Sequence, residues 1–327
     1  MSRSEVQVTQ GVAIHGGVGT LARDALTPEL DAAYRTTLTE SLHAGNSALD
    51  TGGTALDAVA AAVRIMEDSP LFNAGCGSNF DERGVITMDA SIMDGSTRRA
   101  GAVAGVTTVR YPIDLARMVM DHSEHVMLIE AGAEAFALAQ GIEVADQSSF
   151  HTDRRWEEMQ HAKETLGARP NVLGGGTLED GGTAIDPTSK AGTVGAVARD
   201  ASGRLAAATS TGGMANKTWG RVGDTPIIGA GTYASGHCAV SCTGWGEYFI
   251  QSATAYEVHA RMQLLGESLA DATHHAIWQT LESQVAGAGG LVAMDTNGVI
   301  EFSYSTPGMY RGWIGDDQPA SVTIFEN

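Results

Sequence analysis

Two hydrophobic periods run along this chain. Between Pro28 and Leu49, Leu30, Ala33, Leu38 and Leu42 fall near helical spacing and predict one helix. Thr54 is placed to cap the next, with Leu56, Val59, Ala60, Val63 and Met66 on its inward face. Further helices are expected at about 113–120, about 126–140 and 152–166. The second period is two. Val12 and Ile14 form a strand that ends in His15-Gly16-Gly17-Val18-Gly19, read as a glycine loop. Met88, Ala90 and Ile92 alternate with polar neighbours, so 87–93 reads as a half-buried strand, and Gly101 to Val109 as a strand of small residues. Thr193–Arg199, a turn at 200–203, and Arg204–Thr209 give a hairpin signal. Val240-Ser241-Cys242 leads into a helix from about Gly246 to about Leu265, and another follows from Ser268 to Ser283. Asn297-Gly298 turns a closing hairpin.

Strands come in antiparallel pairs and helices in pairs, in both halves. The expected fold is α/β (α+β): a four-layer αββα sandwich in one domain, 1–327, with two stacked sheets inside and helices outside. Ser69–Gly77 is too rich in turn formers for either period. The stretch of about 168–192 holds Gly-Gly-Gly, Asp-Gly-Gly and few large apolar residues, and reads as a flexible linker.

Composition narrows the picture. Apolar residues make up 43% of 327, enough for a sizeable core, whereas aromatics are only 6%, so layers must pack through small side chains. A net charge of −19 repels phosphate backbones and argues against nucleic-acid partners. No apolar run is long enough to span a membrane. The start, Met1–Val6, lacks a signal-like apolar block, and Cys76, Cys238 and Cys242 form no disulfide framework. A cytoplasmic location is the expectation.

The chemistry centres on Thr193, in Gly192-Thr193-Val194-Gly195-Ala196-Val197. Threonine is common in strands, and a lone Gly-Thr means little. A threonine hydroxyl is also a poor nucleophile without a base beside it, but an N-terminal threonine carries that base as its own α-amine. Gly192 leaves the preceding carbonyl open to attack, and the linker before it could depart once cut. The chain is therefore expected to cleave itself between Gly192 and Thr193, into 1–192 and 193–327. Arg221 and Asp224 stand on one short turn, Gly220-Arg221-Val222-Gly223-Asp224. Together they suit a zwitterion, carboxylate on arginine and ammonium on aspartate. Other features lead nowhere. His237-Cys238-x-x-x-Cys242 lacks a fourth metal ligand at zinc spacing, the glycines at 16–19 do not complete a phosphate-binding motif, and no G-x-S-x-G occurs. Met214 and Met309 read as packing residues.

Several blocks together resemble the plant-type asparaginase / isoaspartyl peptidase family of N-terminal-nucleophile hydrolases. They are His15–Gly19, Phe72-Asn73-Ala74-Gly75-Cys76-Gly77, Met88–Gly95, Gly192–Val197, Ala206–Met214, Gly220–Asp224 and Thr243-Gly244-x-Gly246-Glu247. The resemblance runs from about residue 12 to about residue 315 and leaves out mainly the linker. It implies Thr193 as nucleophile, Thr211 bonded to it, and Thr243 with Gly244 as the oxyanion hole. It implies Arg221, Asp224, Gly246 and Asn73 around the substrate, and a mobile loop at 15–19. It also implies a sodium ion on the main-chain carbonyls of Met66, Glu67, Ser69, Phe72, Ala74 and Cys76, with no other cofactor. The implied substrates are L-asparagine and β-aspartyl dipeptides, and the implied particle is a dimer of cleaved pairs, (αβ)2. Glycosylasparaginase and a threonine protease of the same fold are the enzyme rivals. The first usually has a signal peptide, disulfides and Asp before the nucleophile. A non-enzymatic scaffold would be expected to have lost the nucleophile or the clamp. One departure stands out: the segment between Tyr233 and Ser241 is one residue shorter than is common in the family, which puts the register of Thr243 in question.

Overall fold

The computed structural model describes residues 6–19, 26–167 and 192–325. The linker expected at 168–192 lies outside them except for Gly192. The strands are β1 (Val6–Gln7), β2 (Gly11–Gly19), β3 (Met88–Asp94), β4 (Ala100–Val106), β5 (Met127–Ile129), β6 (Val194–Arg199), β7 (Leu205–Thr211), β8 (Thr232–Ala234), β9 (Cys238–Gly244), β10 (Gly289–Asp295), β11 (Val299–Tyr304), β12 (Gly308–Gly315) and β13 (Ser321–Phe325). The α-helices are α1 (Pro28–Asp50), α2 (Ala55–Glu67), α3 (Pro112–His122), α4 (Glu130–Ala139), α5 (Asp153–Gly167), α6 (Gly246–Ser252), α7 (Thr254–Ala260) and α8 (Leu269–His274).

The strands form two sheets, making the fold mixed α and β. The larger runs β13-β12-β2-β6-β7-β3-β4-β5 and the smaller β1-β11-β10-β9-β8. Every strand pair is antiparallel except β4–β5. Helices α1, α2 and α3 pack on the large sheet, β6 and β7 also touch β9 of the small sheet, and α7 and α8 pack on the small sheet. Alternate residues of the central strands therefore enter different cores. Val12, Ile14, Ala196, Ala198, Ala206 and Ala208 pack with the first helices, whereas Ala13, Val197, Leu205 and Ala207 pack with the small sheet.

This two-sided burial corrects one expectation. The strand at 87–93 is not half-buried: Met88 to Met93 are all buried, because a sheet covered on both faces has no wet side. A second correction concerns His15–Gly19. It is not a loop but the end of β2, paired with β12 as far as Gly19↔Gly308, with an irregularity beside Tyr310 that absorbs Gly16. The helix expected from Gly246 to Leu265 is broken. Ala253 adopts φ 48°, and the N–H groups of Ala255 and Tyr256 turn to the carbonyls of Ala230 and Gly229 instead of the previous turn. Wider π turns then follow at Arg261–Leu265 and, after α8, at His275–Leu281. The predicted cap of α2 is present as a full capping box, Thr54 with Asp57.

Close approach sets the layer spacing. At Gly101 of β4, a side chain would overlap the Ala116 carbonyl oxygen and sit 2.6 Å from the Met120 nitrogen, both main-chain atoms of α3. Gly101→Ala should therefore push α3 off the sheet and destabilise the fold by roughly 1–3 kcal/mol, read from the urea midpoint at unchanged m-value.

Candidate active site

Thr193 is the first residue before β6. On the large sheet it continues the row that faces the small sheet, opposite Thr211, since Val194 pairs with Ser210. It is 7% exposed, and its hydroxyl donates to Thr211 Oγ1 at 3.2 Å. Thr211 Oγ1 also accepts from Gly213 N–H at 3.0 Å and from Asn73 Nδ2 at 3.4 Å. Asn73 in turn donates to Gly213 O at 2.7 Å and accepts from Asn79 N–H at 2.9 Å. The polar segment around residue 73 thus buttresses the turn after β7. Gly192 lies against Gly17 (φ 104°): a side chain on either would overlap the other's main chain. Only a glycine pair lets these two segments touch.

Thr193, Thr211, Gly213, Met214, Arg221, Gly223, Asp224, Thr225, Gly244 and Trp245 line one pocket. Five residues singled out from sequence thus meet in it: Thr193, Thr211, Arg221, Asp224 and Gly244. Met214, read as a packing residue, is also among the lining residues. Gly246 closes the clamp from behind, where a side chain would sit 2.8 Å from both Arg221 Nη2 and Asp224 Oδ1. Thr243 is not among the lining residues, and its hydroxyl accepts from Val18 N–H at 3.3 Å. Its place is fixed by the ladder, Thr243↔Gly290 and Gly244↔Gly289, with the β8–β9 connection closed between Ala234 and Ala239.

The turn that carries Arg221 and Asp224 is electrostatically unbalanced. Arg221 forms a bidentate pair with Glu247, 2.9 Å on each arm. Burial opposes ionisation of Glu247, but the Arg221 fork outweighs it and holds that carboxyl below the usual range. Asp224 makes no such pair. It is 4% exposed, and its Oδ2 has no hydrogen-bond partner. Burial pushes its carboxyl up to about 7 against the pull of Arg221. Glu67, named for its carbonyl, is also buried at its carboxyl, which accepts from Ser210 Oγ at 2.5 Å and Ile113 N–H at 3.0 Å. Burial raises it well above the carboxylate range.

Two buried groups near the site escaped the sequence reading. Lys217 donates to Thr87 O at 2.6 Å and to Gly212 O, beneath the Thr211–Gly213 turn. Burial lowers it to about 8, with Asp89 resisting. Asp89 is raised by burial and pulled back by Lys217. The available signal was scarcity: this is one of only three lysines in the chain. His15, quoted from the sequence only as part of the block His15–Gly19, is the other, wholly buried beside the main chain of Thr193. Cys238 and Cys242 are buried thiols on β9, Cys238 pushed up to about 12 by burial. Among the described residues no cluster of His, Cys, Asp and Glu could hold a metal ion, and no helix is long and apolar enough to cross a membrane.

A family model described as asparaginase matches residues 8–324. The chain belongs to that asparaginase family. It is similar to an isoaspartyl peptidase of Salmonella typhimurium, 46% identical over 303 residues, which is 92% of this chain and 94% of that one. An isoaspartyl peptidase of Escherichia coli is 45% identical over 92% of each chain. A plant-type L-asparaginase of Pyrococcus furiosus is 38% identical over 91% of this chain and 94% of its own.

The raised Asp224 carboxyl has a consequence for stability. Its folded value lies above the unfolded one, so the stability it contributes is complete below about pH 4 and is lost as pH rises through about 7. Asp224→Asn removes that loss. The variant should be more stable than the parent by roughly 1–3 kcal/mol at pH 8.5 and equal to it near pH 4, measured by urea unfolding at both.

Proposed function

We propose that this asparaginase-family chain hydrolyses β-aspartyl amide bonds, in L-asparagine and in isoaspartyl dipeptides, through Thr193 as an N-terminal nucleophile. The observation that carries the reading is that Thr193, Thr211, Arg221, Asp224 and Gly244 line a single pocket. The names of its relatives, isoaspartyl peptidase and plant-type L-asparaginase, agree with it.

The chain is made as a precursor. Thr193 Oγ attacks the Gly192 carbonyl carbon, the peptide nitrogen is released as an amine, and water hydrolyses the resulting ester. The glycine contact between Gly17 and Gly192 leaves that carbonyl unshielded by side chains. The fragments 1–192 and 193–327 remain in one αββα sandwich of the N-terminal-nucleophile type, and two such pairs associate as (αβ)2 in the cytoplasm.

In the mature enzyme the Thr193 amine takes the hydroxyl proton as Oγ attacks the substrate's β-carbonyl. Thr211 holds the hydroxyl in line. Gly244 N–H and the Thr243 hydroxyl receive the oxyanion, an arrangement in which one donor is worth roughly 3–4 kcal/mol. The departing amine or ammonia takes the proton, leaving a β-aspartyl ester on Thr193, and water activated by the same amine releases aspartate. Arg221 holds the substrate α-carboxylate, sharing its fork with Glu247, and Asp224 holds the α-ammonium. With both α-groups fixed, only the β-carbonyl reaches Thr193.

The loop 66–77 fits a monovalent cation on main-chain oxygens. Gly75 (φ 51°) folds so tightly that a side chain there would overlap Glu67 O, and one at Gly77 would overlap Phe72 O, so these carbonyls crowd the inside of the turn. Met66, Glu67, Ser69, Phe72, Ala74 and Cys76 would hold a sodium ion through their carbonyls. The ion would supply stiffness to the loop that presents Asn73, and no chemistry.

Two measurements test the reading. Purified protein should run on a denaturing gel as two fragments split at residue 192, and Thr193→Ala as one intact chain with no release of aspartate from asparagine. An intact, fully active parent would overturn it. Second, the ammonium site requires ionised Asp224. The inhibition constant of L-aspartate should rise roughly tenfold or more from pH 7.5 to pH 5.5, while that of succinate, which has no ammonium, does not rise.

A further inference from the structure

Between the two sheets lies a polar layer that the proposed chemistry does not use. In the large sheet His15, Gly195, Thr209 and Ser91 form one lateral row: His15 pairs with Gly195, Gly195 with Thr209, and Thr209 with Ser91. Ser241 and Thr232, themselves a pair in the small sheet, face it. A side chain at Gly195 would overlap Ser241 Oγ, so the glycine is what lets Ser241 reach into the row. Each of these five polar side chains is fully buried. They link as His15 Nε2 to Ser241 Oγ at 2.8 Å, Ser241 Oγ to Thr209 Oγ1 at 2.7 Å, Thr209 Oγ1 to Thr232 Oγ1 at 2.5 Å and Thr232 Oγ1 to Ser91 Oγ at 2.8 Å. At one end His15 Nδ1 stands 3.0 Å from the carbonyl oxygen of Thr193. At the other, Ser91 Oγ lies 2.6 Å from the carbonyl oxygen of Thr225, next to Asp224 in the pocket.

The direction of every bond follows from one end. A carbonyl oxygen only accepts, so His15 Nδ1 carries the proton. Burial disfavours the imidazolium, so Nε2 is bare and accepts from Ser241. Ser241, having given its proton, accepts from Thr209, and Thr209 from Thr232. Thr232 is then left to accept from Ser91, whose single proton is shared between Thr232 Oγ1 and the Thr225 carbonyl oxygen. From Ser91 to His15 the hydroxyls point one way, towards the main chain of Thr193.

We infer that His15 is a positioning residue: with its Nδ1–H directed at the acceptor-only carbonyl of Thr193 and its bare Nε2 held by the Ser241 hydroxyl, it holds that carbonyl and so the orientation of the nucleophile. The inference rests on Thr193 being the nucleophile proposed above. Its force comes from the break at Gly192. An internal residue is oriented by a peptide on each side. A new N-terminus keeps only one, and Thr193 lies just outside the β6 ladder, which begins at Val194. Its carbonyl and its hydroxyl are then the remaining handles, one on His15 and the other on Thr211.

Ser241→Ala leaves Nε2 without a donor, so the ring loses one of its two anchors and its hold on the Thr193 carbonyl loosens. On asparagine, kcat should fall on the order of 10- to 100-fold with KM changed less than about twofold, since the clamp is untouched. His15→Asn, whose amide N–H can replace the Nδ1 donor, should retain more kcat than His15→Leu. In protein labelled with 15N-histidine, the ring resonances lost in His15→Asn should be those of a protonated Nδ1 and bare Nε2 at neutral pH, and Ser241→Ala should alter them. Thr209→Val repeats the test one link further on, should Ser241→Ala not fold. Parental kcat in folded Ser241→Ala, or equal activity in His15→Asn and His15→Leu, would overturn the inference, as would a protonated Nε2 in the parent. A parent protein inactive on β-aspartyl amides sinks the proposed function instead, while the tautomer remains readable from the ring nitrogens.

Discussion

The site depends on how closely two sheets can approach. Around the polar row the large sheet presents mostly small side chains to the other sheet, Ala13, Gly195, Ala207, Thr209 and Ser91 among them, with Val197 and Leu205 further along. Leu205-Ala206-Ala207-Ala208-Thr209-Ser210-Thr211 is the plainest case, every residue of it buried. Small side chains on the inner face let hydroxyls of one sheet bond hydroxyls of the other directly, with no side chain left between them to spare. At Gly195 the requirement becomes absolute, because the volume of its missing side chain is filled by Ser241 Oγ. Packing at this density transmits displacement and tolerates little of it. Thr193, proposed as the nucleophile at the end of such a row, inherits that rigidity.

The same burial sets the electrostatics of the clamp. Arg221, Asp224, Asp89, Lys217 and Glu247 share one small region, and the charges do not simply pair off. Glu247, with a side chain 42% exposed, takes the arginine fork, while the deeper Asp224 is left with an oxygen unpartnered and a carboxyl near neutrality. A zwitterionic substrate resolves this imbalance: its ammonium gives Asp224 a reason to ionise, and its carboxylate finds an arginine already held in a planar fork. A neutral amide or a simple carboxylate would resolve only half of it. If the proposed function holds, the cost of keeping Asp224 uncompensated in the free protein would favour α-amino acids over simple carboxylates.

What was legible in the sequence was local. Thr54 and Asp57 announce a helix start, and Asn297-Gly298 a hairpin, because both signals are complete within a few residues. Thr193, Arg221 and Asp224 stood out because their chemistry is unusual for their surroundings. What failed required knowledge of a partner. Alternation cannot identify a strand covered on both faces, so 87–93 was read as half wet. Glycines at 16–19 look like a loop until β12 is known to lie beside them. Nothing near Ala253 signals a break, since the carbonyls that turn the chain belong to residues 229 and 230. The burial of Lys217 and the partners of His15 stay hidden for the same reason: a buried polar side chain is defined by what it touches across the fold.

His15 shows how a site can be supported by groups that never meet the substrate. Its imidazole is sealed from water and held neutral, so it is no general acid at working pH. A strand histidine of this sort is ordinarily dismissed as a satisfied core residue, and by hydrogen-bond count it is one. The distinction lies in what its two nitrogens join. One meets the main chain of the residue whose upstream peptide is proposed to be lost, and the other meets a run of hydroxyls that ends beside Asp224. A residue that fixes the nucleophile's carbonyl need not supply charge. It needs a fixed donor: the Thr193 carbonyl selects Nδ1–H, and the hydroxyl of Ser241 holds the other nitrogen.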